Sequence, residues 1–137
     1  MSHFTKLSKA QISNVDAFIQ ACADLGFSEV KRNCKIKDYV GKEIEVDVAV
    51  NCGRYDIALQ MNKETGKYDM VADWWGIRGV LQAGKHPDIR TDSDLQDYLL
   101  RHTTKHTIVN KYRRQGFRAE VTEDEKYNLN ITLSRAE

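Results

Sequence analysis

The sequence lacks the features that would indicate a secreted, membrane-spanning or strongly polyanion-binding protein. Its three cysteines form neither an even set nor a CxxC pair, which favours free thiols in a reducing compartment. No apolar run is long enough to span a membrane, and the first ten residues lack the apolar segment of a secretory signal. The formal net charge of +1 argues against a surface that binds polyanions throughout. We therefore expect a cytoplasmic protein or its organellar equivalent, without a membrane association.

Motifs that are typical of common enzyme classes are also missing. The chain has no glycine-rich phosphate loop, no nucleophile elbow and no paired-carboxylate motif. Hydrophobic residues make up 41% and charged residues 30% of the chain, and a chain of this size can bury a core as one domain, residues 1–137. These observations favour a globular, non-enzymatic protein that needs no cofactor.

Two segments have the apolar spacing of amphipathic helices. In the first, Ser13 can cap the start and Gly26 can end the helix. Its apolar stripe consists of Val15, Phe18, Ile19, Cys22 and Leu25. The second helix is predicted from about Ser93 to Gln115 and ends at Gly116. Its stripe consists of Leu95, Leu99, His102, His106 and Val109.

Alternating apolar and polar residues predict three antiparallel hairpins. They pair residues 30–37 with 43–50, 55–61 with 68–74, and 117–123 with 127–133. The patterns also fix registers: Ile36 opposite Ile44, Lys37 opposite Glu43, Met61 opposite Tyr68, and Val121 opposite Leu129.

The predicted fold class is α+β. About seven strands, mostly in one antiparallel sheet, are expected to be packed on one face by the two helices, as a two-layer sandwich. Residues 76–92, with the only proline, are predicted to form a long connection with at most a short helical turn.

The segment YDMVADWWG, residues 68–76, contains two adjacent tryptophans. In a strand, Trp74 would face the core and Trp75 would face outward. Exposed aromatics are enriched in binding hot spots, so Trp75, Tyr68, Arg54 and Asp73 are predicted to contact an unidentified protein partner. A homo-oligomer formed through an exposed sheet edge or face is also open. The alternative is that both indoles are buried.

His102 and His106 are spaced for zinc chelation on a helix, with His3, His86, Cys34 or Cys52 as a further ligand. Cys52 stands beside a glycine and Arg54, which predicts an exposed thiol near a positive charge. A metal-binding protein or an enzyme using His102, His106 and Cys52 is therefore an alternative function. The competing interpretation makes both histidines packing residues with hydrogen-bonded nitrogens.

The end of the second predicted helix is basic. Lys111, Arg113 and Arg114 surround Tyr112, a combination that can bind phosphate or RNA. The same cations also suit the negative end of a helix dipole, and the near-zero net charge disfavours nucleic acid as the partner.

Several of these stretches together resemble the Ycf35-like proteins, the family of domain of unknown function 1257. The resemblance rests on MSHF, the LGF that follows the first helix, YDIALQMN, YDMVADWW, and HTIV leading into QGF. It implies a cyanobacterial, plastid or phage source and a location in the cytoplasm or plastid stroma. Residues 76–92 depart from the family pattern, and the resemblance brings no catalytic residues with it.

Overall fold

The fold contains seven strands and three helices in the part of the chain that the computed structural model describes, residues 5–37, 41–53, 55–83, 89–123 and 129–135. The strands are β1 (Thr5–Ile12), β2 (Val30–Lys37), β3 (Glu43–Asn51), β4 (Asp56–Met61), β5 (Tyr68–Ala72), β6 (Phe117–Glu123) and β7 (Leu129–Arg135). The helices are α1 (Val15–Asp24), α2 (Trp74–Ala83) and α3 (Asp92–Arg114). The fold class is α+β, as predicted. None of the described helices is long and apolar enough to cross a membrane.

The strands form two sheets rather than the single sheet expected. Five strands lie in the order β1-β5-β4-β3-β2, and β6 and β7 form a separate two-stranded sheet. In the larger sheet the predicted pairs Ile36–Ile44 and Met61–Tyr68 are confirmed. Lys37 also lies opposite Glu43, with a 3.3 Å ion pair between them. These registers were predictable because a slip of one residue would turn every apolar side chain to the wrong face.

The register predicted for the last hairpin is wrong by two residues. Val121 pairs with Ile131, and Leu129 pairs with Glu123. The slip preserves which side chains share a face, because a shift of two positions keeps the alternation. The sequence pattern therefore fixed the faces of this hairpin but not its alignment.

Helices α1 and α3 agree with their predicted positions. Asn14, not Ser13, caps α1, because its side-chain oxygen accepts a hydrogen bond from the Ala17 N–H at 3.0 Å. Gly26 follows the helix with a φ of 105°, as expected of a residue that ends a helix in the left-handed conformation. Thr91 and Asp94 begin α3 with a reciprocal capping box.

The prediction of a long connection after the tryptophans is wrong, because α2 occupies its first part. Asp73 accepts a hydrogen bond at its Oδ1 from the Gly76 N–H at 3.1 Å, which is the geometry of a helix N-cap. Trp74, Ile77 and Leu81 are buried at helical spacing. Two glycines within the segment concealed this periodicity, because glycine is a poor helix former.

The main core lies between the larger sheet and the helices. It contains fully buried residues of all three helices and of β3, β4 and β5, among them Phe18, Val50, Leu59, Met70, Ile77 and Leu99. A second, smaller cluster joins Ile36 and Val46 of the β2–β3 hairpin to Ala49 and Ala58. Ala49 and Ala58 alternate with core residues along their strands, so they lie on the opposite face of the sheet.

Candidate functional site

The two tryptophans do not lie on opposite faces of a strand, because β5 ends at Ala72 and α2 begins at Trp74. Trp74 is 2% exposed and belongs to the main core, so its burial is as predicted although its secondary structure is not. Trp75 is the second residue of α2, and its side chain lies outside the described residues.

The other residues predicted around Trp75 have different positions. Asp73 is completely buried, and its cap on α2 gives the carboxylate a role inside the fold. Tyr68 is half-buried and packs against the main core. Arg54 lies outside the described residues. The described side chains therefore do not assemble an open surface around the tryptophans.

Three side chains of α3 converge on one carboxylate oxygen where α1 packs against α3. Asp24, the last residue of α1, accepts hydrogen bonds at Oδ2 from Lys105 Nζ at 2.9 Å, from His102 Nδ1 at 2.8 Å and from His106 Nε2 at 2.7 Å. We call these four residues the Asp24 cluster. Sequence reasoning identified the two histidines but missed Asp24, because 78 positions separate it from His102.

Hydrogen bonding dominates the electrostatics of the Asp24 cluster. Burial alone raises the pKa of the Asp24 carboxyl, but the hydrogen bonds from His102, His106 and Lys105 outweigh it and lower this pKa to about 2. For His102, burial lowers the pKa, and the hydrogen bond to Asp24 opposes that effect. The hydrogen bond to the carboxylate places a proton on His102 Nδ1, and the imidazole ring stacks 3.9 Å from the Tyr98 ring.

The cluster links two helices and does not present a metal-ligand set. Both histidine nitrogens that face Asp24 bind the same oxygen, and the Lys105 ammonium lies 3.3 Å from His102 Nδ1, where it would repel a cation. Residues 5–37, 41–53, 55–83, 89–123 and 129–135 contain no group of three or more His, Cys, Asp or Glu placed to hold a metal ion. The candidate ligands His3 and His86 lie outside these ranges. The contacts agree with the interpretation of both histidines as packing residues.

The prediction that Cys52 is exposed is wrong. Its side chain is fully buried in the main core, and burial raises the pKa of its thiol to about 12. Because the thiolate is the nucleophile, a protonated and buried thiol is poorly suited to covalent catalysis. Cys22 is likewise buried and Cys34 is half-buried.

We expect the three thiols of the native protein to react with iodoacetamide in the order that their burial dictates. Cys34 is expected to react first, and Cys22 and Cys52 only on the time scale of unfolding, because both are inaccessible and burial raises both pKa values. Mass spectrometry of tryptic peptides over time measures this order. Equal rates at Cys34 and Cys52 would contradict the buried position of Cys52, and labelling in denaturant serves as the control.

The basic end of α3 lies on the surface. Lys111, Arg113 and Arg114 occupy its last turn, and all three are exposed. The Tyr112 ring packs edge-on against Phe117 at 5.8 Å and also lies beneath the Lys111 ammonium at 5.6 Å. The predicted residues are therefore together, in the position that also suits the helix dipole.

The C-terminal ribbon, which we define as β6 and β7, has one apolar and one polar face. Register and alternation place one set of side chains on the apolar face: Phe117, Ala119, Val121, Leu129, Ile131 and Leu133. Val121 and Leu133 are each 36% exposed. A groove of about 410 Å³ separates this face from α3, and Leu100, Ile108, Leu129 and Ile131 contribute its apolar lining. The apolar face is therefore only partly covered by the described residues.

The outer edge of β7 differs from the other strand edges in charge. From Leu129 to Ser134 the strand contains no charged residue, no proline and no glycine. The edge strand β2, by contrast, contains Lys31, Arg32, Lys35 and Lys37, with Asn33 in the left-handed region at a φ of 49°. Strand edges are commonly protected from pairing with other chains by lysines and local irregularities. The β7 edge has neither.

Comparison with known proteins identifies the family. The model of a protein family of unknown function, DUF1257, matches residues 21–133, which is most of the chain. The chain belongs to the DUF1257 family. No curated protein and no solved structure matches it.

The match confirms the DUF1257 assignment that the sequence resemblance predicted. It covers the whole of the Asp24 cluster and nearly all of the C-terminal ribbon, because it ends at residue 133. The alternation that predicted this hairpin is also the sequence signal for the ribbon surface. The alternation in residues 117–123 and 129–135 marks an apolar face, and only the structure shows that this hairpin stands apart from the larger sheet.

Proposed function

We propose that this DUF1257 protein is a non-enzymatic protein-binding module that acts through the C-terminal ribbon. The observation that carries the proposal is the uncharged β7 edge, from Leu129 to Ser134, beside a partly exposed apolar face. A strand with a free edge binds an extended segment of another protein through backbone hydrogen bonds, while its side chains select the partner. We favour this function over the enzymatic alternative because Cys52, its candidate nucleophile, is fully buried.

The proposed surface replaces the tryptophan-centred one expected from sequence. In the described residues, Trp74 and Asp73 are buried, whereas Val121 and Leu133 lie on a surface that can be approached. An isolated two-stranded hairpin is only marginally stable, and additional strands improve its stability. A partner strand added at β7 would therefore stabilise the ribbon as well as bind to it.

A photoreactive phenylalanine derivative at residue 132 tests the proposal. Thr132 lies on the polar face of β7 and is exposed, so its replacement leaves the apolar face intact. The matched control is Thr122, an exposed threonine on the same face of β6. We expect irradiation in purified protein and in lysate to give a protein adduct from position 132 and much less from position 122. Excess unlabelled wild-type protein should reduce the adduct, and the same excess of T132K should reduce it less. Equal adduct formation at the two positions would refute the β7 edge as a binding surface.

A further inference from the structure

We infer that the partner of the β7 edge is a second copy of this chain, paired antiparallel with β7 around a twofold axis at Thr132. This inference rests on the proposed function, because it names the occupant of the same edge. A second copy is selected by the charges and the apolar pattern of the edge strands. These make β7 complementary to itself, whereas the other edge strands are not complementary to themselves.

Symmetric pairing at Thr132 uses the full length of β7. Thr132 is the middle residue of Leu129–Arg135, so all seven residues of one copy would face all seven of the other. Ile131 of each copy would lie opposite Leu133, Asn130 opposite Ser134, and Leu129 opposite Arg135. Ile131 and Leu133 then meet as an apolar pair on either side of the axis, and no like charges are opposed, which is favourable for cross-strand pairs.

The same geometry keeps the apolar faces of both ribbons on one side. Each pair in this register joins two even-numbered or two odd-numbered residues, and residues directly opposite in an antiparallel pair share a face. The result is a four-stranded sheet, β6-β7-β7-β6, in which the apolar residues of both ribbons share one face, with Glu123 and Arg135 at its ends. Leu133, which is 36% exposed in the single chain, would lie near the centre of that face. A four-stranded sheet with an apolar face can be stable, whereas a two-stranded ribbon is only marginally stable.

The other edges do not allow the same pairing. In β6 the middle residue is Glu120, and the equivalent twofold would place Glu120 directly opposite its own copy, which is destabilising. In β2, four cations and the left-handed Asn33 oppose a second β2. In β1, the pairing with β5 is irregular between Leu7 and Ile12, and the strand contains Lys6 and Lys9. Among the described strands, β7 is the one whose edge fits its own copy.

Sedimentation equilibrium of the full chain tests the inference with charge variants at the proposed axis. The wild type is expected to reach twice the chain mass of 15.8 kDa as concentration rises. T132K opposes two lysines across the axis and should weaken the dimer about fivefold, and T132E should act likewise. An equimolar mixture of T132K and T132E should recover wild-type association, because opposite charges then face each other at the axis. T122K is the control and should associate like the wild type.

Each result decides a separate point. A mass of 15.8 kDa at every concentration overturns self-association. If position 132 still forms photoadducts with another protein in lysate, the proposed function stands and only the identity of the partner is wrong. A dimer that T132K and T122K weaken equally, or that the T132K and T132E mixture does not restore, overturns the pairing at β7. Circular dichroism of every variant establishes that the chain is folded.

Discussion

Replacement of Gly76 by alanine is expected to destabilise the protein by about 1 to 3 kcal/mol, the usual cost of overfilling a packed site. A Cβ at this position would overlap Cε2 and Cδ2 of the Tyr55 ring, and its third nearest neighbour would be Tyr55 Cζ at 3.1 Å. Tyr55 packs against the main core, so its ring has to leave a packed position to make room. Chemical denaturation measures the change in the free energy of unfolding.

Gly79 provides a matched control in the same helix. A Cβ there would meet nothing within 4 Å, so Gly79→Ala introduces no clash. Alanine is favoured over glycine in a helix interior, and we expect this variant to gain about 0.5 to 1 kcal/mol. The two substitutions are chemically identical and only three positions apart, so their opposite signs isolate the contact with Tyr55.

A double-mutant cycle identifies the ring as the cause. In a Tyr55→Ala background the overlap is gone, so the further change of Gly76 to alanine should cost nothing or stabilise the helix slightly. If Gly76→Ala destabilises both backgrounds equally, the cost does not come from Tyr55 and the close packing of α2 described above is incorrect.

Asp24→Ala is expected to destabilise the protein by about 1 to 3 kcal/mol, because it removes the carboxylate that accepts hydrogen bonds from His102, His106 and Lys105. It also leaves Lys105, whose side chain is 15% exposed, without its carboxylate. Asp97→Asn, an exposed carboxylate on α3, is the control and should change stability by at most a few tenths of a kcal/mol. Equal effects of the two substitutions would show that the Asp24 cluster contributes little.

The same cluster predicts how stability depends on pH. The pKa of Asp24 is lowered from 3.8 to about 2, so its contribution is complete above pH 4 and is lost as pH falls from about 4 to about 2. After allowance for screening at this partly exposed group, the contribution is about 1 kcal/mol. The lowered pKa of His102 also makes the folded protein less stable as the pH falls, but at higher pH than Asp24 does. Below about pH 6.5 this histidine is protonated more readily in the unfolded chain than in the folded one, which favours unfolding.

Unfolding measured from pH 7 to pH 2 checks this dependence. Wild-type stability should decline more steeply below pH 4 than that of Asp24→Ala, and the two curves should converge at low pH. Parallel curves throughout the acid range would mean that Asp24 has the same pKa in the folded and unfolded chain.

Local patterns were sufficient to predict much of the larger sheet. The β2–β3 register followed from two patterns that agree, apolar residues at Ile36 and Ile44 and opposite charges at Lys37 and Glu43. The span of α3 followed from its apolar stripe and its glycine stop. These features involve residues that are close in sequence, where side-chain period and turn chemistry leave few alternatives.

The features that were not predicted depend on contacts between residues distant in sequence, or on residues whose helix propensity opposes the structure they adopt. Helix α2 was missed because Gly76 and Gly79 obscure its spacing, although Asp73 provided a capping signal. The Asp24 cluster joins positions 78 residues apart, which no local pattern reveals. The exposure predicted for Cys52 considered only its neighbours in sequence, whereas the fold places the thiol in the main core.

The position of Asp24 also bears on the order in which the helices form. It is the last residue of α1, where the helix dipole disfavours a negative charge, and ten residues are too few for a helix to persist alone in water. The groups that neutralise this charge all come from α3. We therefore expect α1 to gain lasting structure only after α3 has docked against it.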